Sequence, residues 1–275
     1  VEIIVNGGLD VLGTANDTVR FLSNGESPAS GDWYGIRYQN YPAGNVSYAR
    51  FEHATQAIKY DNSIDYINSN QYSDTLRVRH NKIMNSGAAI YVSYTRVNMC
   101  IESNYYEGSG SFVYAYYNRT NTFNLIHRIR GNTSKGGQIY IYNAKSSTDD
   151  NYEITYYISN NTLDRSIIVR DLDNALITGN KLTLSQNYHG VEAYQLAKST
   201  IKNNQLIGHS FDSYGIYLNQ SNSTVSDNVI SKFNTGIYVT TNFTNPTFDS
   251  LLRNTVVFNG NQGILVSDYG RVLAQ

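Results

Sequence analysis

Ile177-Thr-Gly-Asn180-Lys-Leu182, Ile201-Lys-Asn-Asn204-Gln-Leu206 and Val225-Ser-Asp-Asn228-Val-Ile230 are successive copies of one phrase, apolar-x-x-Asn-x-apolar. Interleaved with them are Gly190-Val-Glu-Ala193, Gly215-Ile-Tyr-Leu218 and Gly236-Ile-Tyr-Val239, a second phrase in which a small residue opens alternating apolar positions. The first phrase recurs upstream at Asn81, Asn104, Asn132 and Asn161 and downstream at Asn254, with Asn-to-Asn steps of 19 to 29 residues. The second recurs at Gly35-Ile-Arg-Tyr38, Ala57-Ile-Lys-Tyr60, Ala89-Ile-Tyr-Val92, Phe112-Val-Tyr-Ala115, Gln138-Ile-Tyr-Ile141, Ser166-Ile-Ile-Val169 and Gly263-Ile-Leu-Val266. Period-two alternation marks strands, and no stretch sustains helical spacing. A unit of two or three short strands cannot bury its apolar face alone, so consecutive units stack into a solenoid with a continuous core. The repeated Asn has a role in such a stack: an inward amide at a turn donates to and accepts from the same amide one rung away. The expected fold is all-β, one solenoid domain over 1–275 of about ten rungs.

Composition narrows the function. The 275 residues carry a net charge of −1, from 21 Lys+Arg and 22 Asp+Glu, with 34 Asn and 25 Tyr. A near-neutral chain gives no global electrostatic case for nucleic acid or an anionic membrane as partner. Its apolar runs are too short to span a bilayer, and one Cys makes neither a disulfide framework nor a thiolate metal site. Starting at Val1 rather than Met, the sequence reads as a processed, exported protein, extracellular or at the cell surface. Eight Asn-x-Ser/Thr sequons, at Asn16, Asn45, Asn118, Asn132, Asn160, Asn219, Asn222 and Asn242, permit glycosylation.

The repeats, together with Gly8-Leu-Asp-Val11-Leu-Gly13-Thr-Ala15, Val19-Arg-Phe21 and Gly31-Asp-Trp33-Tyr-Gly35-Ile36, resemble the right-handed parallel β-helix of the pectin-lyase-like superfamily, in its degenerate surface-protein form. That resemblance covers essentially the whole chain. It implies a single-stranded right-handed parallel β-helix and leaves function open, because the architecture hosts lyases, hydrolases, binding modules and structural proteins. The family's lyase signature, Arg-x-Pro-x-x-Arg beside Ca²⁺-binding Asp residues, has no counterpart around Pro28, Pro42 or Pro246. Its hydrolase signature survives only as the fragments Asp149-Asp150 and Gly208-His209-Ser210. Asp149-Asp150 reads more simply as a turn.

Four cations are candidates for uronate-neutralising or proton-abstracting roles: Arg37 and Lys59, one rung apart on the outer face, with Arg77 and Arg79 nearby in sequence beside Glu52 and His53. A solvated face laced with salt bridges accounts for them equally. The histidines His53, His80, His127, His189 and His209 share no ligand spacing, so no metal site is expected. A Ca²⁺ loop at Asp171 and Asp173 would need further oxygens. Alternation points Cys100 outward, where it is either a half-buried free thiol or available for an intermolecular disulfide.

The outward position of the second phrase reads Arg37, Lys59, Tyr91, Tyr114, Tyr140, Ile168, Glu192, Tyr217, Tyr238, Leu265. The next outward position adds Ser93, Tyr116, Tyr142, Arg170, Tyr194, Asn219 and Thr240. Two roles fit this aromatic strip: stacking of sugar rings, or packing against another protomer. Cross-rung stacking of the rings on each other stabilises the solenoid under either. Strand-like sequence at both ends, Val1–Val5 and Gly263–Gln275, adds the possibility of end-to-end stacking. The leading expectation is a structural, self-assembling envelope protein, a sheath, surface-layer or filament protomer whose partners are copies of itself. The alternative is a secreted polysaccharide-binding or polysaccharide-cleaving, lyase-like protein.

Overall fold

A computed structural model describes residues 1–39, 44–61, 75–93, 97–118, 124–144, 153–209, 213–241 and 248–275. All regular elements among them are β-strands. The chain visits three sheets in strict rotation, so that each strand pairs in parallel with the strand three elements later. The rung Ala88–Ser93, Asn98–Glu102, Tyr105–Gly108 is representative. Two sheets have 11 strands and the third has 10, close to the expected ten rungs. The extra level is an N-terminal rung, Glu2–Val5, Leu9–Leu12 and Val19–Phe21, to which the Asn phrase gave no clue. Among the described residues no helix is long and apolar enough to cross a membrane.

β-Branched residues dominate the inward positions, as a pleated, fully covered surface favours. In the first sheet the register runs Ile3, Ile36, Ile58, Ile90, Val113, Ile139, Ile167, Val191, Ile216, Ile237, Ile264, with Ile or Val at every level. The inner members are fully buried, each contributing about 1.5–3 kcal/mol. At the ends the column is uncovered: Ile3 is 38% exposed and Ile264 45%.

The corner between second and third sheets is where sequence and backbone meet most tightly. Each ladder asparagine follows a residue in the left-handed region: His80, Ser103, Gly131, Asn160, Gly179, Asn203, Asp227 and Arg253 have φ between 52° and 66°. That turn swings the next side chain inward. Asn81, Asn104, Asn132, Asn161, Asn180, Asn204 and Asn228 are at most 2% exposed. The Nδ2 of each donates to the next Asn Oδ1 at 2.9–3.0 Å. Its second Nδ2 hydrogen goes to a carbonyl of the rung before, as from Asn180 to Ile158 at 2.9 Å. Each Oδ1 from Asn104 onward accepts both the backbone N–H and the Nδ2 of the preceding Asn, so the inner amides are fully satisfied. The ladder ends at Asn254. It starts at Asn81 because the preceding level carries Ala49, whose N–H donates to Asn81 Oδ1.

Candidate functional site

The first sheet's outer face holds eight of the 25 tyrosines, in two columns. Strand register puts Ile4, Arg37, Lys59, Tyr91, Tyr114, Tyr140, Ile168, Glu192, Tyr217, Tyr238 and Leu265 in one column. Ser93, Tyr116, Tyr142, Arg170, Tyr194, Asn219 and Thr240 stand in the next. Parallel strands about 4.8 Å apart force neighbouring rings face to face. Tyr91 and Tyr114 stack at 5.2 Å and 7°, and Tyr114 and Tyr140 at 5.2 Å and 8°. Lys59 Nζ covers the free face of Tyr91 at 5.6 Å, and Arg170 approaches Tyr140 at 5.7 Å. A second group follows, with Tyr217 stacked on Tyr238 at 5.3 Å and Tyr194 set edge-on to Tyr217. Tyr116 and Tyr142 are tilted at 5.4 Å. Rings therefore meet face to face in Tyr91–Tyr114–Tyr140 and Tyr217–Tyr238, but not at Tyr194 or in the Tyr116–Tyr142 pair. Burial raises the pKa of Tyr114 and of Tyr217, and Tyr194 is pushed up further by burial and by Glu192, to which its hydroxyl donates at 2.9 Å.

The candidate cations divide between two sheets. Arg37 and Lys59 are neighbours on the first, and each faces a carboxylate: Arg37 Nε lies 3.2 Å from Glu2, and Lys59 Nζ 3.0 Å from Asp61. Arg77 and Arg79 lie on the second sheet, so the four do not form one cluster. Glu102 bridges Arg79 (3.2 Å) and Arg130 (2.6 Å). Burial pushes Glu102 up, but hydrogen bonds from Cys100 and Arg130 and the two arginine charges outweigh it and hold the carboxyl below its usual value. Cys100 does point outward, between Arg77 and Arg128 in register, but it is only 7% exposed. Arg79 Nη2 donates to its Sγ at 3.3 Å, and burial raises the thiol pKa. A thiol so covered fits the reading of a buried free cysteine, not the alternative of an intermolecular disulfide.

Other expectations fare variously. Asn132 is 1% exposed and committed to the ladder, so in the folded chain its sequon is closed. Asn16, Asn160 and Asn222 are exposed, and Asn45 and Asn219 are half-buried. Asn118 ends a first-sheet strand; Asn242, Pro42, Pro246 and Asp149-Asp150 lie outside the described residues. Asp173 gives a carboxylate oxygen to Ile154 N–H at 3.2 Å. Among the described residues no three His, Cys, Asp or Glu side chains converge on a point where a metal could sit. His127 is fully buried against Tyr156, its Nδ1 accepting from Met99 N–H, and burial lowers its pKa to about 3.

One groove escaped sequence reasoning. Residues Pro28–Ser30 line an open groove of about 650 Å³ with His53 and with Asn85, Glu107, Gly108 and Lys135 at the ends of third-sheet strands. Tyr105 donates to Glu107 Oε2 at 2.5 Å, which raises its own pKa, and contact with Tyr105 raises that of Lys135. His53 Nδ1 is buried without a hydrogen-bond partner. No motif joins these residues, because they are spread over successive rungs. Only register assembles them.

A family model described as right handed beta helix region matches residues 139–274. No curated protein and no solved structure matches the chain. The same three-sheet coil continues in register upstream of residue 139 to the first strand, so the described chain forms one continuous parallel β-helix, consistent with the right-handed pectin-lyase-like architecture.

Proposed function

We propose that the protein is a structural β-helix of the cell envelope or extracellular space that assembles with copies of itself. The carrying observation is where the polar side chains are spent. Asparagines satisfy one another along the axis, the faces in the Tyr91–Tyr114–Tyr140 run are covered by the next tyrosine or by a cation, and Arg37, Lys59 and Arg79 each hold a carboxylate. Such a molecule is built for stiffness along its axis. Its low charge and flat, half-exposed tyrosine flank suit lateral packing, since tyrosine offers apolar area with a hydroxyl at its edge. Polysaccharide recognition through the tyrosine columns draws less support, because stacking on a sugar needs a free ring face.

Negative-stain imaging of purified protein across a concentration series tests the proposal. Regular polymers with a repeat set by the coil are the expected result. A species that stays monomeric and monodisperse throughout overturns it.

A further inference from the structure

The second sheet's outer face concentrates positive charge, in a chain whose net charge is −1. Register sets Asp10, Asn45, Arg77, Cys100, Arg128 and Tyr157 in one outward column, and Ser47, Arg79, Glu102, Arg130 and Ser159 in the next. Three consecutive levels thus hold four guanidiniums and one carboxylate. Glu102 is divided between Arg79 and Arg130. Cys100 cancels none of the excess, because burial raises the thiol's pKa and keeps it uncharged. Among the described residues Arg77 and Arg128 face no carboxylate. Arg128 lies over the Tyr157 ring at 5.8 Å, and the exposed Arg77 reaches only the Thr75 carbonyl, at 3.5 Å. Asp10, two levels from Arg77, is turned to the backbone and side-chain amides of Asn45, at 2.9 and 2.8 Å.

Arg77 and Arg79 also line a cleft. With His80, which follows them on the corner, and with Asn45, Ser47 and Tyr48 of the rung before, they border about 260 Å³. Tyr48 and His80 both sit in left-handed corners (φ 51° and 56°), which brings their rings together, stacked at 4.8 Å and 12°. Two guanidiniums, an imidazole and two hydroxyls supply donors there, and no carboxylate lines the cleft.

We propose that this cleft binds a tetrahedral oxyanion of the phosphate class, free or as the terminal group of a small ligand. The donors select the class. Arg77 and Arg79 stand two residues apart on one strand, about 6.6 Å, and His80 adds a third direction of approach. A tetrahedral dianion has an oxygen for each of the three, whereas a planar carboxylate serves two. Phosphate, more basic than sulfate, is the better acceptor for charge-assisted hydrogen bonds. The site lies on a different sheet from the tyrosine columns, so binding here is measurable whether or not the protein polymerises.

Isothermal titration with inorganic phosphate, sulfate and acetate, at pH 7.5 and one low ionic strength, tests the site. Phosphate is expected to bind tightest and acetate about tenfold more weakly or worse, with affinity falling as salt rises. Arg77→Gln is expected to weaken phosphate about tenfold or more. Arg77→Lys keeps the charge but loses the planar fork, so it should recover only part of that loss. Arg128→Gln removes the same charge from the same column two levels away, outside the cleft, and should stay within roughly twofold of wild type. Both positions are exposed, and an unchanged β circular-dichroism spectrum verifies each fold. Phosphate failing to bind at low salt overturns the proposal, as does acetate binding as tightly as phosphate or sulfate binding more tightly. So does Arg77→Gln binding phosphate no more weakly than Arg128→Gln, which would mean a diffuse positive face rather than a site.

Discussion

Asn180 takes part in hydrogen bonds on both sides: its Nδ2 donates to Asn204 Oδ1 and to Ile158 O, while its Oδ1 accepts from the N–H and Nδ2 of Asn161. Asn180→Ala deletes all four and leaves buried groups on two neighbouring rungs unpaired. At about 1 kcal/mol per bond plus the unsatisfied remainder, the expected loss is about 3–5 kcal/mol. Asn254 ends the ladder, half-buried, its Nδ2 donating to Val225 O at 2.8 Å, so Asn254→Ala should cost about 1–2 kcal/mol. Urea unfolding of the two variants decides it, and equal losses would mean the ladder is not a cooperative column. Asp249 gives a pH-dependent counterpart. It faces inward, 1% exposed, and its Oδ1 accepts from Ser223 N–H at 2.8 Å below a Ser199–Ser223 hydroxyl contact. Burial raises its pKa from 3.8 to about 7, against the pull of its bonds to Ser223 and Ser221. The folded state therefore holds this proton more tightly than the unfolded chain. Stability falls as pH rises from about 3.8 to about 7, and the full penalty persists above that. Asp249→Asn should raise Tm at pH 8 and leave it nearly unchanged below pH 4. His127, lowered from 6.5 to about 3, acts with the opposite sign: it withdraws stability as pH falls below about 6.5 and does not mask the Asp249 effect at pH 8. A melting-temperature series in both backgrounds, with no gain for the Asn variant at pH 8, would count against a buried, titrating carboxylate.

At the scale of the rung, corners matter more than strands. Gly131 and Gly136 bracket one third-sheet strand, Thr133–Lys135, both with positive φ (63° and 77°). A Cβ on Gly131 would meet nothing nearer than Ser103 Oγ at 3.7 Å, so Gly131→Ala isolates the left-handed backbone penalty of about 1–2 kcal/mol. At Gly136 the added carbon would lie 2.0 Å from the Gly108 carbonyl oxygen, and the backbone of the adjacent rung has to move. Gly136→Ala should therefore cost several-fold more than Gly131→Ala in the same denaturation assay; similar losses would refute the steric account. These corners also show how far the sequence could be read. The strands and their faces were legible because period two is strict: Tyr91, Tyr114 and Tyr140 could be aligned by counting from Ile90, Val113 and Ile139. The left-handed corner was not, since its occupants range from Gly131 to His80 and Arg253, and only the Asn that follows is constant. Nor was the groove at His53, Glu107 and Lys135, because it depends on Pro28–Ser30 lying beside residues of the next four rungs in register.

For the whole molecule, the stacked geometry sets how stability is distributed. Each rung touches only its neighbours, so an interior rung is held from two sides and a terminal one from a single side. Inner columns make the difference visible: Ile36 and Ile237 are fully buried, whereas Ile3, Ile264 and Val266 are 38%, 45% and 42% exposed. Amide exchange in dilute protein should follow this gradient, slowest through the strands around Ile129–Ile201 and fastest in Glu2–Val5 and Arg271–Ala274. The same measurement distinguishes the two geometries of assembly. If copies join end to end, a new parallel rung pairs the edge amides and covers Ile3 or Ile264, and protection of the terminal strands should rise with concentration while the middle is unchanged. If copies join only through the tyrosine flank, outward side chains are covered but no backbone group gains a partner, so terminal exchange stays fast even in the polymer. Tyr114→Arg then becomes the discriminating variant. It places a charge among half-buried rings without touching the coil's edges, so it should abolish lateral polymers and leave end-to-end ones intact.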